Sequence, residues 1–216
     1  MTIPRFRAVV IDVDSTLCGI EGIDWLAARR GPHVAREIAL LTERAMNGEI
    51  PLDSIYGGRL GLVRPAAAEV AELGRAYVEA LAPGAREAIF RMRGEGVALA
   101  LVSGGIRQAI RPLARELGFS EGSLHAVSVS FDDEGVYCGY DTQSPLTNQR
   151  GKKALVAALG LPRPVLAVGD GATDAAMREA TDAFAAFTGF VRRERVVHSA
   201  DYVVSSFRQL TDLVLP

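Results

Sequence analysis

The run Val9-Val10-Ile11-Asp12-Val13-Asp14-Ser15-Thr16 constrains the fold of this chain more than any other stretch. Its opening residues are apolar and strand-compatible, so it predicts a buried strand, and two carboxylates then stand two residues apart where that strand should end. Burying a bare carboxylate is expensive. A chain that places Asp12 inside an apolar run must supply a cation, hydrogen-bond donors or a reacting electrophile for it. A capping aspartate in a turn is the plain alternative, common for a single Asp but less so for Asp-x-Asp-Ser-Thr continuous with a strand.

Composition narrows the classes of function. With 216 residues, 49% of them apolar, the chain can bury one good core and a small second lobe. A formal charge of -2 gives no field to attract nucleic acid or anionic lipid. Neither nucleic acid nor membrane is therefore an expected partner, and assembly as a homodimer is left open. The apolar run after Arg5 and Arg7 is broken by Asp12 and Asp14 and is too short for a signal peptide or a membrane span. Cys18 and Cys138 stand far apart with no Cys-x-x-Cys spacing, which suggests neither a disulfide framework nor a zinc site. The expectation is a soluble cytoplasmic protein.

After the first strand the pattern turns helical for about sixty residues, too long for an ordinary crossover between parallel strands. Helices are expected over Gly22 to Arg30, stopped by Gly31-Pro32, and over Val34 to Met46, closed by Asn47-Gly48. A third is expected over Pro51 to Val63, and Pro65 begins a fourth. This block reads as an all-helical insertion. Beyond Pro83-Gly84, helical runs (Ala85 to Arg93, Ile106 to Leu117, Lys152 to Leu159, Thr173 to Ala180, Arg192 to His198, Phe207 to Leu213) alternate with strand runs at Val97 to Val102, Ala126 to Val129, Val165 to Val168, Ala183 to Phe187 and Tyr202 to Val204. The alternation predicts an α/β fold, an open parallel Rossmann-like sheet with helices on both faces. Val127 to Tyr140, centred on Asp132-Asp133-Glu134-Gly135, reads separately as a small β-hairpin flap.

Three apolar runs end in polar clusters: Asp12-Val13-Asp14, Ser103-Gly104-Gly105 and Gly169-Asp170-Gly171-Ala172-Thr173-Asp174. If their strands are neighbours, the clusters converge outside the carboxyl ends of the sheet, where such folds bind ligands. The result is a pocket of carboxylates, one hydroxyl and glycine-rich turns open to an anion. So many acids repel one another, but oxygen ligands of this kind suit Mg²⁺ shared with a substrate phosphate. Lys152 is a second cation for that phosphate, with Lys153 beside it as the competing assignment. Other phosphate and hydrolase motifs fit less well. Gly169-x-Gly171-x-x-Asp174 has Asp where a dinucleotide fingerprint needs its third glycine, and no P-loop surrounds Lys152. No Gly-x-Ser-x-Gly occurs, and His33, His125 and His198 lie away from the strand-end clusters.

Taken with Glu21-Gly22-Ile23-Asp24, Arg44-Ala45-Met46-Asn47-Gly48, Leu101-Val102 before Ser103, and Gly139-Tyr140-Asp141 before Lys152, these clusters form an ordered set spanning nearly the whole chain. The set resembles the haloacid dehalogenase superfamily of phosphatases and, within it, the phosphoserine phosphatase family. The resemblance implies that residues 1–17 and 80–216 form an α/β core and residues 18–79 a helical cap. It implies that Asp12 is the nucleophile that becomes an aspartyl-phosphate and that Asp14 is the general acid and base. Asp12, the backbone carbonyl of Asp14, and Asp170 would hold Mg²⁺, with Asp174 supporting them. Ser103, the Gly104 amide and Lys152 would hold the phosphoryl oxygens. Glu21 would meet the substrate ammonium and Arg59 its carboxylate, with Met46 and Thr173 completing the substrate site. Gly57-Gly58 before Arg59 weaken a helix by roughly 1 kcal/mol each. Two alternatives stay open: the same chemistry on phosphohomoserine or phosphoethanolamine, and a non-catalytic module that binds phosphorylated ligands. The run Arg192-Arg193-Glu194-Arg195 is expected to be a solvated helix face.

Overall fold

The first apolar run forms β1 (Ala8–Ile11), all four residues of which are fully buried. The structure, a computed structural model, describes residues 3–215. After β1 the chain enters four helices, α1 (Gly22–Ala27), α2 (Pro32–Met46), α3 (Tyr56–Val63) and α4 (Ala67–Glu79). It then returns through α5 (Ala85–Gly94), β2 (Ala98–Ile106), α6 (Arg107–Glu116), β3 (Leu124–Val127), β4 (Val129–Phe131) and β5 (Tyr137–Tyr140). The remainder is α7 (Gly151–Ala158), β6 (Val165–Gly169), α8 (Ala172–Ala175), β7 (Ala183–Phe187), α9 (Glu194–His198), β8 (Tyr202–Val204) and α10 (Phe207–Val214). Among the described residues no helix is long and apolar enough to cross a membrane.

Six strands make one sheet in the order β3-β2-β1-β6-β7-β8, and every pair in it is parallel. β1, β6 and β7 are buried at every residue, as a parallel sheet covered by helices on both faces requires. Chain order runs outward from β1 to β2 and β3, then crosses to β6 on the other side. That reversal beside β1 is where ligands bind in open α/β sheets. The register fixes what meets there. Ile11 stands opposite Leu101 of β2 and Val168 of β6, so Asp12 falls level with the start of the Ser103 and Asp170 clusters.

Four expectations are corrected in detail. β2 does not stop at Val102 but runs through Ser103-Gly104-Gly105, and its ladder with β3 slips register between Val102 and Ile106. The third helix of the insertion is broken, with a 3₁₀ turn at Leu52–Ser54 before α3. α3 forms despite its glycines because Tyr56, Arg59, Leu60 and Val63 all bury on one face. The helix expected from Thr173 is one turn, α8, followed by a 3₁₀ turn over Ala176–Glu179. α9 begins at Glu194, and Arg193 ahead of it is extended (φ -108°, ψ 111°), which turns its side chain inward. Arg193 is 4% exposed, not part of a solvated helix face.

The hairpin forms as expected, β4 against β5, with Asp132 accepting from the Glu134 and Val136 amides in its turn. It leans on the insertion through the Ala67 amide, which donates to the Gly135 carbonyl at 2.9 Å, and through the Tyr140 ring, 5.3 Å from that of Tyr56. The insertion leaves and rejoins the core at adjacent points, where Gly19 N–H donates to Ala80 and Ala82 N–H to Leu17.

Candidate active site

Asp12, immediately after β1, is 5% exposed and meets Lys152 from the first turn of α7, with Nζ donating to Asp12 Oδ1 and to Asp174 Oδ1 at 2.6 Å each. Lys153 instead pairs with Glu179 on the surface, so Lys152 is the cation at the site. Carboxylate oxygens of Asp12, Asp170 and Asp174 lie within 4.8 Å of one another. Thr16 Oγ1 donates to Asp170 Oδ1 at 2.7 Å, and Arg193 donates to Asp170 Oδ2. Arg193 also reaches Glu43 of α2 at 3.2 Å, joining the Asp170 loop to the helical insertion.

These charges strain one another. Burial and then Asp174 push Asp12 well above the usual carboxylate range, against the pull of Lys152. Burial and Asp174 likewise raise Asp170, to about 7, although Arg193 opposes them. For Lys152, burial pulls downward, but Asp12 and Asp174 overcome it and hold the ammonium charged. Three carboxylates crowded into low dielectric form an all-oxygen donor set that a hard dication would relieve, and the residues therefore fit a divalent metal.

Asp14 stands outside that trio. Its Oδ1 accepts from Tyr77 Oη at 2.5 Å and from the Gly22 amide at 3.0 Å. Its Oδ2 lies against Gly105, only 2.8 Å from where a Cβ on that glycine would sit. Ser103 is fully buried, and its Oγ accepts from the Gly105 amide at 2.9 Å. The slipped ladder of β2 thus leaves Gly104 and Gly105 lining the cavity instead of pairing with β3.

The opposite wall comes from the insertion. Glu21, Met46 and Arg59 line the same cavity as Asp12, Asp14, Gly104, Lys152, Asp170 and Thr173. Ser103 and Asp174 lie behind its wall. Glu21 accepts from Ser15 Oγ at 2.6 Å, and burial with Asp14 and Asp170 raises its carboxyl well above the usual range. Arg59 is 5% exposed and held by Asp24 at 3.2 Å, while its Nε has no partner among the described residues. Every site residue expected from the sequence is thereby brought to one cavity or its immediate backing.

Sequence reasoning missed several neighbours. Arg193 looked like surface charge, and nothing local to its run distinguishes it from Arg192. Asp24, Thr16 and Tyr56, whose hydroxyl donates to the Gly104 carbonyl at 2.8 Å, were given no role. Tyr77 had a faint signal: Val70, Leu73, Gly74 and Tyr77 form the buried stripe of α4, and the last carries a hydroxyl.

A parallel sheet with acidic and glycine-rich turns at the carboxyl ends of adjacent strands defines an open α/β protein with its ligand site at the switch point. The profile of the haloacid dehalogenase-like hydrolases matches residues 6–182, and the chain belongs to that family. Within it, the chain is similar to phosphoserine phosphatases. It is 34% identical over 209 residues to the chloroplastic phosphoserine phosphatase of Arabidopsis thaliana, covering 94% of this chain and 70% of that protein. It is 33% identical over 206 residues to the phosphoserine phosphatase of Homo sapiens, covering 94% and 91% respectively. Its fold matches that of a phosphoserine phosphohydrolase-like protein from Francisella tularensis, with a TM-score of 0.87 at 24% identity over 97% of this chain and all of that one. A substrate-bound phosphoserine phosphatase complex gives 0.83 at 23%, over 96% and 98%.

Proposed function

We propose that this enzyme is a Mg²⁺-dependent phosphomonoesterase that hydrolyses O-phospho-L-serine to serine and phosphate. The observation that carries the chemistry is the placement of Asp12 and Asp14, two residues apart at one strand end, in a single cavity backed by Lys152. The substrate assignment is supported by the names of the relatives and by Glu21 and Arg59, a carboxyl and a guanidinium facing that cavity from the insertion.

Asp12 attacks phosphorus, forming an Asp12–phosphorus bond while the bond from phosphorus to the serine oxygen breaks. Asp14 gives its proton to the departing oxygen, a contribution of about 10²–10⁴-fold when well placed. A water then loses a proton to Asp14 and attacks phosphorus, releasing phosphate and restoring Asp12. Lys152, the amide of Gly104 and Ser103 hold the phosphoryl oxygens, with the Gly105 amide fixing Ser103 Oγ. Asp12, Asp170 and the Asp14 carbonyl would hold Mg²⁺, which when bound neutralises charge on the carboxylates and the phosphoryl group. Asp174 orients Lys152, and Asp170 is steadied by Thr16 and Arg193.

Residues 18–79 act as a cap that closes over the substrate. The paired strands of chain at Leu17–Gly19 and Ala80–Ala82 form a narrow neck suited to a hinge. Arg59 separates the substrate candidates. Arg59→Ala should lower kcat/KM for phosphoserine by about 10–100-fold, the loss of a charge-assisted, bidentate contact. Turnover of phosphoethanolamine, which has no carboxylate, should be unchanged. Equal loss on both esters contradicts the role given to Arg59.

A further inference from the structure

The hydrogen bond from Tyr77 to Asp14 is used by nothing in the mechanism above, yet it fixes the one carboxyl that must both give and take a proton. Tyr77 ends the buried stripe of α4, is fully buried, and is held at the neck of the insertion by Cys18 Sγ, which donates to its carbonyl at 3.3 Å. Its hydroxyl donates to Asp14 Oδ1 at 2.5 Å, beside the Gly22 amide at 3.0 Å. The approach is so close that a Cβ on Gly22 would lie 2.1 Å from Tyr77 Oη. No other residue type leaves room for the phenol there. The sequence around Asp14 thus spends a glycine on admitting this hydroxyl.

We infer that Tyr77 is a positioning residue for the general acid: by occupying Asp14 Oδ1, it places the transferable proton on Oδ2. The reasoning is one of inventory. A neutral carboxyl has one proton and two oxygens, and an oxygen that accepts two hydrogen bonds is the unprotonated one. Oδ2 is the oxygen against Gly105: a Cβ on that glycine would lie 2.8 Å from Oδ2 and 3.1 Å from Ser103 Oγ, so Oδ2 stands on the wall of the cavity that Gly104 and Gly105 line. In the first step, Asp14 Oδ2–H gives its proton to the leaving oxygen as the phosphorus–oxygen bond breaks and the bond to Asp12 forms. In the second, Oδ2 takes a proton from the attacking water. Without the phenol, only the Gly22 amide still holds Oδ1, and the carboxyl is left with one hydrogen bond in place of two to keep its proton on Oδ2.

The inference rests on the proposed role of Asp14, and leaving-group chemistry separates the two. An alkyl phosphate needs a proton on its leaving oxygen, whereas acetyl phosphate releases a carboxylate that needs none. Tyr77→Phe should lower kcat/KM for phosphoserine by about tenfold or more, with KM nearly unchanged. Its kcat/KM for acetyl phosphate should stay within about twofold of the intact chain's. Gly22→Ala, which pushes on the same hydroxyl, should give the same discrimination, and adding Tyr77→Phe to it should cost little more. If Tyr77→Phe lowers turnover of both substrates equally, or of neither, the positioning role is overturned while the enzyme's function stands. If the intact chain prefers another alkyl phosphate, the ratio is read on that ester. If it turns over no ester at all, the proposed function and this inference fall together.

Discussion

Arg193 and Asp170 illustrate how individual charges are set in this site. Each is almost fully buried, and each is tolerable because of the other, with Thr16 donating to Asp170 and Glu43 accepting from Arg193, whose Nε finds no partner among the described residues. Removing one partner of such a pair strands the other charge, so these residues cannot be treated as independent. The raised pKa of Asp170 has a thermodynamic consequence. Its folded value, about 7, exceeds the ordinary 3.8, so the native state binds more protons than the unfolded state between those limits. The metal-free protein should therefore lose stability as pH rises from about 4 to 7, and Asp12 and Glu21 act in the same direction. A divalent ion needs these groups deprotonated, so Mg²⁺ should stabilise more at pH 7.5 than at pH 5. At about one hundred times its dissociation constant the ion adds about 2.7 kcal/mol. For a chain of this length that corresponds to a rise of about 5–10 °C in melting temperature. Thermal unfolding with Mg²⁺ or chelator at the two pH values checks this. A larger metal effect at pH 5 contradicts it.

At the scale of elements, β2 shows how a strand becomes one wall of a cavity. Its first residues pair with β1 and β3 in register, and the ladder to β3 is interrupted where Ser103-Gly104-Gly105 pass the cavity. Gly105 cannot carry a side chain there: a Cβ would stand 2.8 Å from Asp14 Oδ2 and 3.0 Å from Ile110 Cδ1. Gly105→Ala should lower turnover by about tenfold or more by displacing the acid, while destabilising the fold by only about 1–3 kcal/mol. Steady-state kinetics beside thermal unfolding tests that split, and an alanine variant with full activity contradicts it. The strands themselves were legible in the sequence because parallel strands buried on both faces read as unbroken apolar runs, as in Val165–Val168 and Ala183–Phe187. The ends of elements were not. Whether Ser103-Gly104-Gly105 continues the strand, or Pro51 opens a helix, depends on neighbours far along the chain.

For the whole molecule, the topology explains why the ordered motifs were informative. The reversal beside β1, with β2 on one side of it and β6 on the other, brings residues 12, 103 and 170 together. The carboxylates, the lysine and the wall of the insertion could thus be anticipated from the resemblance of motifs. What could not be anticipated was the support behind them. Arg193 belongs to a basic run indistinguishable from surface charge until β7 and α9 place it, and Tyr77 acts across 63 residues of sequence. Asp24, which holds Arg59, lies on a different helix from its partner. Burial of a polar group is a property of the assembled fold, and short patterns carry little trace of it.

The measurement that tests the central claim most directly is phosphate release from O-phospho-L-serine by the intact chain and by Asp12→Asn, with Mg²⁺ and with chelator. The account predicts turnover in the intact chain with metal, suppressed by chelation and lost in Asp12→Asn, with phosphoserine preferred over phosphoethanolamine and a sugar phosphate. Turnover that survives in Asp12→Asn, or that is indifferent to metal, would contradict it.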